Sequence, residues 1–382
     1  MYKGGKKMKV MAVICEYNPF HNGHKYQLTE HKKILGADAV ICLMSGSFVQ
    51  RGAPAIYDKW TRAKDTVENG ADLVLELPVV YSAQSSQRFA TGAVLFLDSL
   101  EVVDFLSFGS ECGDIELLKE CADVIKSPEF NVLLEEKLKS GLSYPAARSD
   151  VLKDHFPHLD ESLISSPNNI LSIEYINALE KISSKIEPKT IKRNSEFASA
   201  SDIRSRLNKG EDISSLVPTK TRNSYDIKAF DSIVLYHFRK ESPKTLQSIC
   251  DMAEGLHNKF KKASQTATTV SELAEAVKSK RYTRTRIDRI IVNSLLGICD
   301  RHTELKPQYA RVLAFNSTGQ EVLSKIKKAS SIPVITKVAD AKPDNEDFKL
   351  MLEKDLLSTD IYSILTSKKA GLDFLNSPIK VK

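Results

Sequence analysis

The sequence predicts an α/β protein: a parallel sheet with helical crossovers over residues 1–215, then a mainly helical, basic region over 216–382. Three observations carry this. Short apolar runs alternate with helical patterns through the first part, the signature of parallel strands joined by right-handed crossovers. Polar, glycine-punctuated turns follow strands one, two, four and five. They therefore share the carboxyl edge of the sheet, where open α/β sheets bind ligands. From residue 216 the glycine-rich strand ends stop and positive charge collects.

The first strand is the apolar run Val10–Cys15, with the continuous hydrophobicity of a strand buried on both faces. Glu16, Tyr17, Asn18 and Pro19 break it. His21-Asn22-Gly23-His24 follows, and Lys25 to Gly36 reads as a helix closed by its glycine. Histidines three apart on a helical turn share a face. Free N–H groups at a helix N-terminus favour an anion. Gly23 removes a side chain where a phosphate chain comes close. The pattern predicts a phosphate between two imidazole N–H donors and a helix end. Two surface histidines or two metal ligands are the alternatives. No Cys or His partner stands nearby at zinc-ligand spacing, and a metal site usually takes three or four ligands.

A second buried strand, Ala39–Met44, ends in the loop Ser45-Gly46-Ser47-Phe48-Val49-Gln50-Arg51-Gly52-Ala53-Pro54-Ala55. Arg51 there is a solvated loop residue or a guanidinium reaching phosphate or carboxylate. A helix from Lys59 to Asn69 carries the one tryptophan, Trp60, either core or a stacking platform. The third strand, Ala71–Pro78, is interrupted by Glu76, a strand-end surface group or part of a site. Ala83–Leu100 is helical with a core face. The fourth strand, Val103–Phe108, opens into Gly109-Ser110-Glu111-Cys112-Gly113-Asp114. A charged helical stretch, 114–155, leads to Pro167-Asn168-Asn169-Ile170-Leu171 and a helix to Ile182. The paired asparagines either cap that helix or read a base edge with their amides. Strand five, Lys189–Arg193, precedes Ser199-Ala200-Ser201-Asp202-Ile203-Arg204. That helix start offers hydroxyls and N–H groups to an anion, with Arg204 on the face of Ser201.

Beyond 216, residues 225–302 are mostly helical. Gly255–Ile290 holds nine Lys and Arg against three acids, a surplus equal to that of the whole chain, which is +6. Within it Lys280, Arg281, Tyr282, Arg284, Arg286 and Arg289 interleave cations with an aromatic, which suits nucleic acid; a solvated charged face is the alternative. Residues 307–339 read as a small strand-helix-strand unit, and 340–382 as a charged helix with a loose end.

Composition limits the classes. At 42% hydrophobic and 27% charged residues, the chain is ordinary for a globular protein. No apolar run approaches the roughly 20 residues of a membrane span. The basic residues 1–9 read as a short tail, with Met8 an equally good start. Six scattered cysteines without a CxxC fit a reducing, cytoplasmic setting without disulfides or structural zinc.

Glu16-Tyr-Asn-Pro-Phe-His-Asn-Gly-His24 resembles the HxGH stretch of the tRNA(Met) cytidine acetate ligase family, within the HIGH-type nucleotidyltransferase superfamily. The resemblance continues through SGSFVQRGAPA (45–55), the KWTRA of 59–63, FGSECGD (108–114), GLSYPAA (141–147), PNNIL (167–171), SASDIR (199–204) and KRYTRTRIDR (280–289). Ser201 stands where the family has Thr, and the linker from Arg193 to Ser199 is shorter than the family's. The resemblance implies a Rossmann-like HIGH-type domain and ATP, carried with Mg²⁺, as the activating substrate. It implies acetate and elongator tRNA(Met) as partners, with N4-acetylcytidine formed at the wobble position through an acetyl-adenylate. On that reading His21, His24, Ser201 and Arg204 are catalytic. Ile14, Cys15, Glu16, Tyr17, Asn18, Pro19, Phe20, Asn22, Gly23, Lys25, Tyr26, Gln27, Gly109, Asn168, Asn169 and Arg193 join the histidines around the nucleotide, and the 280–289 cations meet tRNA. No metal ligand is expected from the protein. A small-molecule nucleotidyltransferase and a non-catalytic RNA-binding protein are the alternative readings.

Overall fold

In the computed structural model, which describes residues 7–382 apart from 157, 158, 160–162, 164, 221 and 223, the alternation appears as expected. The first seven strands are β1 (Val10–Cys15), β2 (Ala39–Ser45), the short pair β3 (Phe48–Val49) and β4 (Ala53–Pro54), β5 (Leu73–Leu77), β6 (Phe105–Ser110) and β7 (Glu187–Lys192). Five of them lie side by side and parallel in the order β5-β2-β1-β6-β7. The direction of strand addition reverses between β1 and β6, which is where sheets of this kind leave a crevice. Every residue of β2 is buried, as helices on both faces require. Residues 1–6 of the expected tail lie outside the described residues.

Two features depart from the expected organisation. The strand-helix-strand unit of 307–339 is not separate. Its strand β8 (Ala310–Phe315) pairs antiparallel with β5, and β9 (Val334–Ile335) and β10 (Ile379–Lys380) each pair parallel with β8. The sheet is therefore mixed, and the boundary expected at 215/216 does not divide it. The reason is hydrogen bonding: β5 is wholly buried, so its outer row of backbone groups needs a partner, and β8 supplies it. The expected loose end is likewise built in, as a helix over Glu346–Leu365 and then β10.

The second feature is charge. Glu76 is neither a surface group nor part of the crevice. Its carboxylate lies 2.7 Å from Lys59 Nζ and 3.2 Å from Arg311, and both cations also reach Asp373, at 2.9 and 2.8 Å. Lys59 is fully buried and Glu76 is 2% exposed. Four charges from three distant parts of the chain thus neutralise one another inside the protein. Arg62, also fully buried, spends its guanidinium on the carbonyls of Tyr57, Glu16, Ser45 and Gly46. The KWTRA stretch is a clamp on strand ends, and Trp60 between these residues is core.

The basic region forms a second core around Phe230, Phe238, Phe260, Ile287 and Ile290. It meets the sheet through the β3–β4 loop. Gly52 has φ +77°, and a Cβ there would stand 2.3 Å from the backbone of Asp288 and Arg289. Only glycine lets that loop lie on the helix Arg284–Leu296, and the contact brings Arg51 and Arg289 to one opening.

Candidate active site

A cavity of about 920 Å³ opens at the strand switch point, where β1 and β6 end. Of the run expected there, Ile14, Cys15, Glu16, Tyr17, Asn18, His21, Gly23, His24, Tyr26 and Gln27 line it. Four residues of the run do not. Pro19 and Phe20 are buried. Asn22 is turned to the chain after the second motif, with Nδ2 donating to the Ser215 carbonyl at 3.0 Å. Lys25 is exposed.

The helix Asn22–Leu35 begins earlier than its hydrophobic pattern indicates, because a histidine caps it. His21 Nδ1 accepts from Gly23 N–H at 3.1 Å, and His24 Nδ1 accepts from His21 N–H at 3.3 Å. Each Nδ1 is thus an acceptor, so each neutral ring carries its proton on Nε2. The rings stack with centroids 3.5 Å apart. Burial pushes His21 down to about 4, with Arg193 and Arg204 adding to the effect, and pushes His24 well below the usual range. Two neutral Nε2–H donors result.

The N-terminus of this helix is not the anion site expected of it. Asn22 N–H goes to the Leu216 carbonyl, Gly23 N–H to His21 Nδ1, and the N–H groups of His24 and Lys25 to the His21 carbonyl. No first-turn N–H of this helix is left for a ligand. Gly23 also has another reason to be glycine: a Cβ there would lie 3.0 Å from the His21 ring. The open helix end is the other one. The helix Ala200–Asn208 is capped by Ser199, which accepts from Asp202 N–H at 3.1 Å. Among the described residues, the N–H groups of Ala200 and Ser201 have no acceptor, and both residues line the cavity. Arg204 binds the Asn18 carbonyl at 2.8 Å and Ser201 Oγ at 3.0 Å, tying the second motif to the first.

Gly109 and Arg193 line the same space. A Cβ on Gly109 would meet only the Ile191 carbonyl, at 3.9 Å. The protein itself therefore does not demand glycine, and the bare backbone faces the cavity. The asparagines divide. Asn168 lines the cavity and donates to Glu111 Oε1 at 2.7 Å. Asn169 is 1% exposed and accepts from Glu111 N–H at 2.9 Å, so it joins two loops and does not face a ligand. Neither side chain caps its helix.

The basic segment reaches the same opening in part. Arg281, Arg286 and Arg289 line the cavity with Thr283 and Thr285. Lys280 is exposed away from it. Arg284 is held by Asp288 at 2.8 Å and Glu275 at 3.0 Å. Tyr282 is buried, donates its hydroxyl to Glu254 and lies under the Arg286 guanidinium. It is no free stacking platform. Arg289 donates its guanidinium to nothing among the described residues. The sequence reading missed the Ser85–Gln87 turn and Tyr144, which also line the cavity; the turn's only local signal is a serine helix cap.

The model of the HIGH Nucleotidyl Transferase family matches residues 8–374. The tRNA(Met) cytidine acetate ligase of Acetivibrio thermocellus is 41% identical over 97% of this chain and 100% of its own length. The chain belongs to the tRNA(Met) cytidine acetate ligase family. The relative of the same name from Thermoanaerobacter sp. strain X514 is 43% identical over 98% of this chain and 100% of its own. The crystal structure of Thermotoga maritima TmcAL bound with alpha-thio ATP superposes with a TM-score of 0.91 at 33% identity, covering 98% and 100% of the two chains. The fold expected from the motifs is thus the fold of this acetate ligase family.

The histidines give this family member a pH dependence of stability. Burial holds His21 and His31 down at about 4 and His24 well below the usual range, whereas an unfolded histidine titrates near 6.5. Between these values the unfolded chain binds more protons, so stability is full above about pH 6.5 and falls as pH drops toward 4. The urea midpoint is expected to be lower at pH 5 than at pH 7. In His31→Gln, whose ring otherwise bonds Ser107 Oγ, the pH-dependent part of that drop is expected to shrink.

Proposed function

We propose that this protein is an ATP-dependent acetate ligase that forms N4-acetylcytidine at the wobble position of elongator tRNA(Met), releasing AMP and pyrophosphate. The observation that carries the reading is that the fixed Nε2–H donors of His21 and His24 and the open N-terminus of Ala200–Asn208 line one cavity.

Acetate attacks the α-phosphate of ATP and pyrophosphate leaves. That step needs positioning and charge stabilisation more than a protein nucleophile. His21 and His24, being neutral, donate hydrogen bonds to phosphate oxygens without a proton changing hands. The Ala200 and Ser201 N–H groups, the Ser201 hydroxyl and the Arg204 guanidinium take the leaving pyrophosphate. Arg193, Gly109 and Asn168 seat the nucleotide. Mg²⁺ arrives on the phosphates of ATP as their counter-ion. Among the described residues no group of three or more His, Cys, Asp or Glu side chains is gathered to hold a metal.

Residues 1–215 provide the ATP and acetate site in this proposal, and the helices of 225–302 bring the tRNA. Arg281, Arg286 and Arg289 are its contacts at the cavity mouth. Arg284 and Tyr282 hold their own helix and loop. Arg289→Ala is expected to weaken tRNA binding about tenfold at low salt and to lower the salt slope by about one phosphate contact; filter binding across a salt series measures both. The setting is cytoplasmic, where tRNA is; among the described residues no helix is long and apolar enough to cross a membrane.

The reaction is tested by acetate-dependent pyrophosphate release from ATP, with and without bulk tRNA, and by nucleoside mass analysis of the RNA. Acetate-dependent release with N4-acetylcytidine supports the proposal. Release that ignores acetate and leaves the RNA unmodified points to a small-molecule nucleotidyltransferase.

A further inference from the structure

The structure assigns to the Glu16 carboxylate the role of general base in acetyl transfer, a role that rests on the acetate ligase reading. In that step the cytidine N4 forms a bond to the acetyl carbon. The bond from that carbon to the AMP phosphate oxygen breaks, its electron pair leaves with AMP, and N4 sheds one proton. An exocyclic amine is a poor nucleophile, so a positioned acceptor for the proton is worth a large factor in rate.

His21 and His24 have their Nδ1 lone pairs committed to Gly23 N–H and His21 N–H, and their Nε2 atoms carry hydrogen. They donate and do not accept. Glu174 is ion-paired with Arg148 at 3.4 Å and Asp251 with Arg88 at 3.5 Å. The Cys15 thiol is directed at the Leu43 carbonyl at 3.7 Å, and the Tyr17 hydroxyl lies 3.7 Å from Cys42 Sγ. Both groups are pushed well up by burial, so neither is a base near neutral pH. Glu16 differs from all of these. Oε1 accepts from Gln50 N–H at 2.7 Å. Among the described residues Oε2 accepts from nothing, and no cation lies within ion-pairing distance of either oxygen.

Its placement fits the role. Glu16 follows the last residue of β1, at the switch point, and is joined by its carboxylate to the loop that carries Arg51. Its backbone carbonyl is fixed by Arg62 at 2.6 Å. Both ends of the residue are therefore held, as a reacting group requires. It lines the same cavity as His21 and His24 and as Arg281, Arg286 and Arg289. Burial raises its affinity for a proton. Gln50 N–H and the charges of Arg204, Arg51 and Arg62 moderate the rise, and Tyr175 lies close enough to feel the carboxylate's charge. The carboxylate is consequently a better base than an exposed one.

Glu16→Gln tests this in the full chain, because glutamine keeps an acceptor for Gln50 N–H and removes only the base. Two rates are measured: acetate-dependent exchange of pyrophosphate with ATP, and N4-acetylcytidine formation on tRNA in a single turnover across pH. The expected result is transfer slowed about 100- to 10,000-fold, with the acid limb of the wild-type pH profile gone, and exchange reduced far less. Glu16→Asp is expected to recover part of the transfer rate and to restore the limb. Transfer at the wild-type rate in Glu16→Gln would overturn the assignment, as would equal losses in exchange and transfer. Absence of N4-acetylcytidine from the wild-type reaction would instead overturn the proposed function.

Discussion

His24→Ala is expected to lower acetate-dependent pyrophosphate exchange about a thousandfold while the protein stays folded. One fixed donor at a developing charge is typically worth two to three orders of magnitude, and this substitution affects two. It removes the His24 Nε2–H, and it removes the Nδ1 acceptor that holds His21 N–H and with it half of the helix capping box. The ring stacked 3.5 Å away then loses its neighbour. The stability cost should stay near that of a lost cap, about 1 kcal/mol, because Asn22 N–H is still held by the Leu216 carbonyl. His24→Asn, which returns an amide donor without the ring, is expected to regain a small part of the rate. Exchange at the wild-type level in His24→Ala would remove the imidazoles from the reaction.

The second large effect concerns folding. Glu76→Ala is expected to cost about 3–5 kcal/mol of stability, read as a lowered urea midpoint at constant slope. The substitution leaves Lys59 and Arg311 facing a single carboxylate, Asp373, in a site where none of the four residues is more than 3% exposed. The neighbouring Asp355, raised to about 7 by burial and by the charge of Glu76, takes hydrogen bonds from Val79 N–H and the Tyr309 hydroxyl and offsets part of the lost charge. Glu76→Gln should cost less, since an amide oxygen still accepts from Lys59. A midpoint shift worth less than about 1 kcal/mol in Glu76→Ala would show that the network contributes little.

The sequence carried the strand order's raw material well. The apolar runs Val10–Cys15, Ala39–Met44, Ala71–Pro78 and Val103–Phe108 each hold a strand of the sheet, because continuous hydrophobicity over a few residues is a local property of buried parallel strands. The HxGH turn was legible for the same reason: its chemistry lies within four residues. What local pattern does not contain is the partner. Lys59 and Glu76 read as a motif lysine and an odd strand-end acid, and only the arrival of Arg311 and Asp373 makes them a closed network. Asn169 and Tyr282 look like ligand contacts by residue type. Glu111 and Glu254, far from them in sequence, occupy them instead. The assignment of free N–H groups to the first helix failed because they are already taken: Asn22 N–H by the carbonyl of Leu216, which no periodicity announces, and the others by His21 itself.

The way β8 and β10 complete the sheet also bears on how the chain is made. Synthesis runs from the N-terminus, so β5, buried along its whole length in the finished protein, emerges long before Ala310 exists to pair with it. During that interval the nascent chain carries an open apolar edge, the kind that recruits a second polypeptide or a chaperone. Asp373 and Ile379 come later still. They close the charge network and extend the sheet, so a ribosome that stalls just short of them holds a chain whose first domain is written but not yet shut.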